Sequence, residues 1–163
     1  MEQEERELEQ KQFIEEFALL FELMALPRMA GRILGWLMIC NPPHQSTGQL
    51  AEVLQASKGS ISTMTRLLIQ SGLVERVSLP GERRDFFCIK LGAWPALLKQ
   101  RMAQITAIRE LAGRGLKILE NGEPQQGKRL QEMYEFHGFF ERQFPLLIER
   151  WETEQRQNSS NLK

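Results

Sequence analysis

The stretch SKGSISTMTRLL, residues 57–68, sets Ser57, Ser60, Ser62, Thr63 and Thr65 with Lys58 and Arg66 around a few apolar side chains. Hydroxyls both donate and accept hydrogen bonds, while lysine and arginine only donate, so such a surface suits phosphate oxygens and the edges of bases. At helical spacing, Ile61, Met64, Thr65 and Leu68 fall on one stripe, which is predicted to be buried. Gly59, Ser62, Thr63, Arg66 and Gln70 fall opposite it, and Lys58 occupies the exposed N-terminal turn. These side chains are short enough for a helix to enter a major groove about 12 Å wide, and Arg66 could bond a guanine twice. The plainer alternative is a capped surface helix whose serines face water. Taken alone, the helix does not decide between the two.

No catalytic constellation competes with this segment. His44 and His137 are isolated, and the chain has no glycine-rich phosphate loop and no His, Cys or carboxylate cluster at ligand spacing. Cys40 and Cys88 are far apart and read as two reduced, partly buried thiols, with a redox sensor as the weaker reading. No enzyme activity, metal or cofactor is therefore expected.

The elements that must position residues 57–68 follow from periodicity. Ile14, Phe17, Ala18, Phe21 and Met24 recur at helical spacing behind an acidic first turn, which predicts a helix over 4–25. Pro27 opens a second helix with Met29, Ala30, Ile33, Leu37 and Cys40 on one face, and NPP at 41–43 ends it. A short helix begins at STGQLAEVL, where Ser46 and Gln49 have the spacing of a capping box. Another begins near Ser57. After Gly72 the period becomes two: Phe87, Ile89 and Leu91 alternate with Phe86, Cys88 and Lys90, and LVERVSL is a compatible partner strand. Pro80, Gly81 and ERRD form the hairpin tip. Two helices follow, near 95–120 and 127–151, separated by NGEP and with a kink expected at Pro145. The polar end, 153–163, is expected to be a disordered tail.

Across 163 residues, 42% are hydrophobic and 26% charged, as in an ordinary soluble protein, and no apolar run approaches the roughly 18 residues of a membrane span. The acidic start MEQEERELEQ is unlike a basic signal peptide, so a cytoplasmic location is expected. The zero net charge is unevenly spread. Residues 1–26 hold eight acidic and two basic side chains, whereas residues 27–120 hold six and thirteen. A basic centre between acidic flanks suits a local phosphate-binding face, although chance clustering on a solvated surface is the bland alternative.

A helix at 46–55, the turn QAS, a second helix and a hairpin tipped by Glu82, Arg83, Arg84 and Asp85 compose a winged helix-turn-helix. The candidate DNA contacts are Lys58, Ser60, Ser62, Thr63 and Arg66 on the helix, with Arg83 and Arg84 on the wing reaching phosphates or a flanking minor groove. Three stretches, LPRMAGRILGWLMICNPP at 26–43, LAEVLQASKGSISTMTRLLIQSGLVERV at 50–77 and PGERRDFF at 80–87, resemble the MarR-type transcriptional regulators, and within them the GbsR-like branch.

The resemblance implies a mainly α (α+β) winged helix-turn-helix with long N- and C-terminal dimerisation helices. Residues 1–26 would then be an N-terminal dimerisation helix, 27–94 the DNA-binding domain and 95–152 the C-terminal dimerisation helices. It also implies a homodimeric repressor or activator, read as a repressor, that binds double-stranded DNA and answers to a possible small-molecule effector; two-fold symmetry then predicts an imperfect palindrome. Choline-responsive members of that branch make Trp36, Trp94, Tyr134, Phe136, Phe140 and Trp151 candidates for an aromatic cage, with His137 beside them. The same aromatics at helical spacing equally suit plain core and dimer contacts. The competing function is a winged helix used only for protein contacts, against which Lys58, Arg66, Arg83 and Arg84 argue.

Overall fold

The computed structural model describes residues 1–119, 125 and 127–160, which fall into two compact units that divide between Trp94 and Pro95. Six helices and three short strands make up the described residues, the mainly helical fold expected.

In the first unit, α1 (Glu2–Leu23) buries Ile14, Ala18 and Phe21 and leaves its acidic start in solvent. Its partner is α2 (Arg28–Ile39), entered from Pro27. Two glycines of α2 set the approach. A Cβ on Gly31 would stand 2.8 Å from Ala18 Cα and 2.9 Å from the Phe17 carbonyl oxygen, and one on Gly35 would stand 2.9 Å from Phe17 Cβ. Glu15 ties the same pair of helices together, accepting from Arg28 and pairing with Arg32, both at 2.7 Å. The Arg28 hydrogen bond, helped by the charge of Arg32, holds the Glu15 carboxyl below its ordinary range. Helix α1, expected to be a dimerisation helix, belongs to the same compact unit as the winged helix-turn-helix.

Next come β1 (Gln45–Ser46), α3 (Thr47–Val53) and α4 (Lys58–Gln70). The capping box is formed: Gln49 N donates to Ser46 Oγ at 3.3 Å, and Ser46 N donates to Gln49 Oε1 at 2.8 Å. Ser57 caps α4 by accepting from Ser60 N at 3.1 Å. Between the helices the chain reverses at Gln55, whose φ of 51° lies in the left-handed region. Ile33, Leu34, Leu50, Leu54, Ile61, Leu68 and Val74 form the fully buried core of α2, α3, α4 and the sheet. Burying each such side chain contributes about 1.5–3 kcal/mol.

The hairpin strands β2 (Val74–Ser78) and β3 (Asp85–Ile89) pair antiparallel, with Arg76 opposite Phe87 and Ser78 opposite Asp85. β1 adds to the other edge of β3, so the sheet order is β1-β3-β2. This third strand is two residues long and carries no periodic signal. Both Phe86 and Phe87 are buried, although alternation sends them to opposite faces of β3. Leu91, expected to continue the alternating strand, lies beyond its end and is exposed.

The second unit is built on α5 (Ala93–Ile118) and α6 (Lys128–Ser160). A polar seam joins them. Arg109 pairs with Glu141, Thr106 Oγ1 donates to Glu141 at 2.7 Å, and Arg109 Nη1 donates to the Tyr134 hydroxyl at 3.1 Å. The expected tail is corrected over 153–160, which continues α6 as helix. After Pro145 no glycine or proline stops the helix, and Arg150 Nε donates to Glu154 Oε1 at 2.9 Å across one turn. Residues 161–163 and the expected break at 121–124 lie outside the described residues. No helix among the described residues is long and apolar enough to cross a membrane.

Candidate nucleic-acid interface

Helix α4 is amphipathic in the expected sense. Ile61, Thr65 and Leu68 are buried, Met64 is half-buried, and Lys58, Gly59, Ser62, Thr63, Arg66 and Gln70 are exposed. A hydroxyl in the core needs a partner, and Thr65 Oγ1 stands 2.9 Å from the Ile61 carbonyl and 3.2 Å from that of Ser62. Thus one of the five hydroxyls of residues 57–68 serves the core, Ser57 serves the cap, and Ser62 and Thr63 are left facing outward.

The exposed side of α4 and the hairpin together form a concave groove of about 460 Å3. Lys58, Ser62 and Arg66 enter it from α4, Arg76, Asp85, Arg84 and Phe87 from the hairpin, and Ser46, Thr47 and Gly48 from the start of α3. Four of the expected contacts, Lys58, Ser62, Arg66 and Arg84, therefore share one surface. Three do not line it. Thr63 is exposed on α4, Ser60 is half-buried beside its cap, and Arg83 is exposed at the hairpin tip.

The cations differ in how they are held. Arg66 Nε donates to the Ser62 carbonyl at 3.2 Å, a bond internal to the helix that leaves its two amino groups without a hydrogen bond among the described residues. Arg84 donates to Glu82 through Nε at 2.9 Å and Nη2 at 3.4 Å, and its guanidinium lies 5.5 Å above the centre of the Phe86 ring. Arg76, which the sequence reading passed over, donates through Nη1 to Asp85 at 3.1 Å. The strand register was the signal available for it: Arg76 shares a face with Phe87 and Asp85. Lys58, Arg66, Arg76 and Arg84 bring four positive charges to the groove against one carboxylate, that of Asp85, and such a surface attracts polyanions.

The candidate ligand residues do not line this groove. Trp36 is half-buried on α2, its Nε1 donor buried with no hydrogen-bond partner among the described residues. Trp94, near the start of α5, is 46% exposed. Tyr134 already carries a cation, since the Arg109 guanidinium lies 5.4 Å from its ring centre. His137 Nδ1 stands 2.7 Å from the Met133 carbonyl, and its ring meets that of Phe136 edge-on. Burial, reinforced by Glu75, pushes the Cys88 thiol up, and burial does the same at Cys40, the opposite of what a thiolate sensor needs. Among the described residues no group of three His, Cys, Asp or Glu side chains could hold a metal ion.

Comparison with known proteins gives this geometry its context. Residues 26–85 match the model of the MarR family, and residues 92–154 match that of the MmpR5-like MarR family transcriptional regulators. The HTH-type transcriptional regulator MmpR5 of Mycobacterium tuberculosis is 40% identical over 130 residues, covering 80% of this chain and 79% of the relative. A crystal structure described as a transcriptional regulator is similar with a TM-score of 0.73 and 36% identity, over 89% of this chain and 99% of that one. The winged helix-turn-helix, its basic groove and these matches lead to one conclusion: the chain belongs to the MarR family of DNA-binding transcriptional regulators, a family of regulators and not of enzymes.

Proposed function

We propose that this regulator works as a cytoplasmic homodimer that represses by occupying an imperfect palindrome, with α4 in the major groove and the hairpin against the flanking backbone. The observation that carries the reading is the groove, where Lys58 and Arg66 of α4 face Arg76 and Arg84 of the hairpin. Arg66 is the side chain for base edges, and the wing arginines are those for phosphates or a narrow minor groove. Ser60, Ser62 and Thr63 supply shorter hydrogen bonds around it.

Two-fold pairing is supported by apolar side chains that each unit leaves in solvent, among them Leu23 of α1 and Phe136, Leu146 and Leu147 of α6. Half-sites would then lie about one helical turn, roughly 10 bp, apart. Within the family, the central stretches read as GbsR-like, while the C-terminal helices match the MmpR5-like model. Small-molecule control is the remaining part of the proposal. The unpartnered indole N–H of Trp36 supports it, as a donor that a polar ligand would satisfy.

Selection of bound sequences from random duplexes, followed by a salt titration on the recovered duplex and a scrambled one, tests the proposal. The expected result is a dyad-symmetric sequence whose affinity falls steeply with salt. Recovered sequences without a dyad would overturn the palindrome, and no affinity at low salt would leave the wing as a protein-contact module.

A further inference from the structure

Alternation along β2 places Val74, Arg76 and Ser78 on one face, opposite Ile89, Phe87 and Asp85 of β3. Val74 is buried at the base of this face, and Arg76, two residues on, emerges into the groove facing Lys58 and Arg66. Asp85 Oδ2 meets Arg76 end-on through Nη1 alone, at 3.1 Å. A guanidinium carries five N–H donors, so Nε and Nη2 of Arg76 stay available. Arg84 differs, because Glu82 engages both its Nε and its Nη2. Of these two hairpin arginines in the groove, Arg76 keeps its Nε–Nη2 edge free, whereas Arg84 spends that edge on Glu82.

Asp85 is the odd member of the set. A carboxylate at the edge of a phosphate-binding groove repels phosphate, so its presence needs a compensating role. We propose that Arg76 is a further DNA-contacting residue, donating from Nε and Nη2 to a backbone phosphate, and that Asp85 is the positioning residue that holds its guanidinium toward the groove. The inference rests on the DNA-binding reading above. A solvent-exposed ion pair contributes little to stability, so the fold does not require the pair to be kept.

The experiment uses the full chain, a duplex recovered by selection with the unmodified protein, and a scrambled duplex of the same composition, each over a series of KCl concentrations. Arg76→Ala is expected to weaken both duplexes by roughly tenfold and to make the slope of log affinity against log salt shallower by about one per lost phosphate contact. Arg76→Lys keeps the charge and is expected to keep the slope.

Asp85 is tested by the sign of its effect. Asp85→Asn removes a negative charge from the groove, yet it is expected to weaken binding roughly threefold, because the guanidinium loses its anchor. In the Arg76→Ala background the same substitution is expected to tighten binding, since only the repulsion is then left to remove. If Asp85→Asn tightens binding in the otherwise unmodified chain, the positioning role is overturned. Should Arg76→Ala keep both affinity and slope while the unmodified chain binds steeply, the contact is overturned and the DNA-binding reading stands. A loss of slope with Arg76→Lys would mark the effect as structural and also overturn the contact. An unmodified chain that binds no duplex removes both together.

Discussion

Arg66 occupies an exposed position of α4 with Nε bonded to the Ser62 carbonyl, so its two amino groups are left to form the fork that matches guanine. Arg66→Ala is expected to cost about 1–3 kcal/mol on a selected duplex and much less on a scrambled one, read from isotherms on both. Replacing Arg83 and Arg84 together by Ala is expected instead to weaken both duplexes alike and flatten the salt dependence. Arg84 must exchange Glu82 for phosphate, but a solvent-exposed pair of that kind contributes little, so the exchange is cheap. Equal losses from Arg66→Ala on both duplexes, with the wing variant losing only the selected one, would reverse the two roles. The exposed face of α4 is legible in the sequence because helical period sorts Lys58, Ser62 and Arg66 from Ile61 and Leu68. Glu82 and Arg84 are two residues apart in a hairpin tip, where no period fixes a rotamer. Arg76 emerges only once the register of β2 against β3 is known.

At the scale of elements, glycines make the sharpest tests. In α2, Gly31 allows the backbone of α1 to come so close that an added Cβ meets main-chain atoms under 3.0 Å away, which cannot yield as a flexible side chain would. Gly31→Ala is expected to destabilise the fold by about 1–3 kcal/mol. Gly59 offers the contrast: its nearest neighbour to an added Cβ is Ser57 Oγ at 3.9 Å, an ordinary contact, and the residue sits in a helix. Gly59→Ala is expected to stabilise by up to about 0.5–1 kcal/mol, because glycine loses more conformational freedom on folding. Urea denaturation of the two variants checks the opposite signs, and two shifts in the same direction would refute the packing argument. The capping box was readable because Ser46 and Gln49 carry it in side-chain types at fixed spacing. β1 was not, since two residues have no period, and its pairing with Phe86 and Phe87 depends on partners forty residues away. The end of α6 was misjudged for a related reason. Polar composition resembles that of a tail, yet Glu, Gln and Arg are good helix formers, and the turn-spaced pair of Arg150 with Glu154 supports the helix further.

At the scale of the whole molecule, periodicity marks which positions are apolar without saying what covers them. Ile105, Ile108, Leu130, Phe140 and Phe144 look alike in sequence to Phe136, Phe139, Leu146 and Leu147, yet the first group is half-buried while each of the second is more than half exposed. The change from period two to helical period after Leu91 is what made the boundary near residue 94 readable. The exposed group is large and aromatic-rich, and a soluble monomer rarely leaves such a patch uncovered. A second copy is the commonest cover. The protein is therefore expected to sediment at micromolar concentration with about twice its chain mass of 18.9 kDa. The double substitution Leu146→Glu with Leu147→Glu places two charges on that face and is expected to shift the mass toward one chain. Each single chain keeps its own groove, so affinity for a scrambled duplex should fall only with the lost phosphate contacts. Affinity for a palindrome should fall by about two orders of magnitude or more, because the second half-site no longer binds as part of the same molecule. A wild-type mass of one chain at tens of micromolar would end the dimer proposal. A variant that stays dimeric would show instead that α6 is not the face in use, and would move the search to the exposed Leu19, Leu20 and Leu23 of α1.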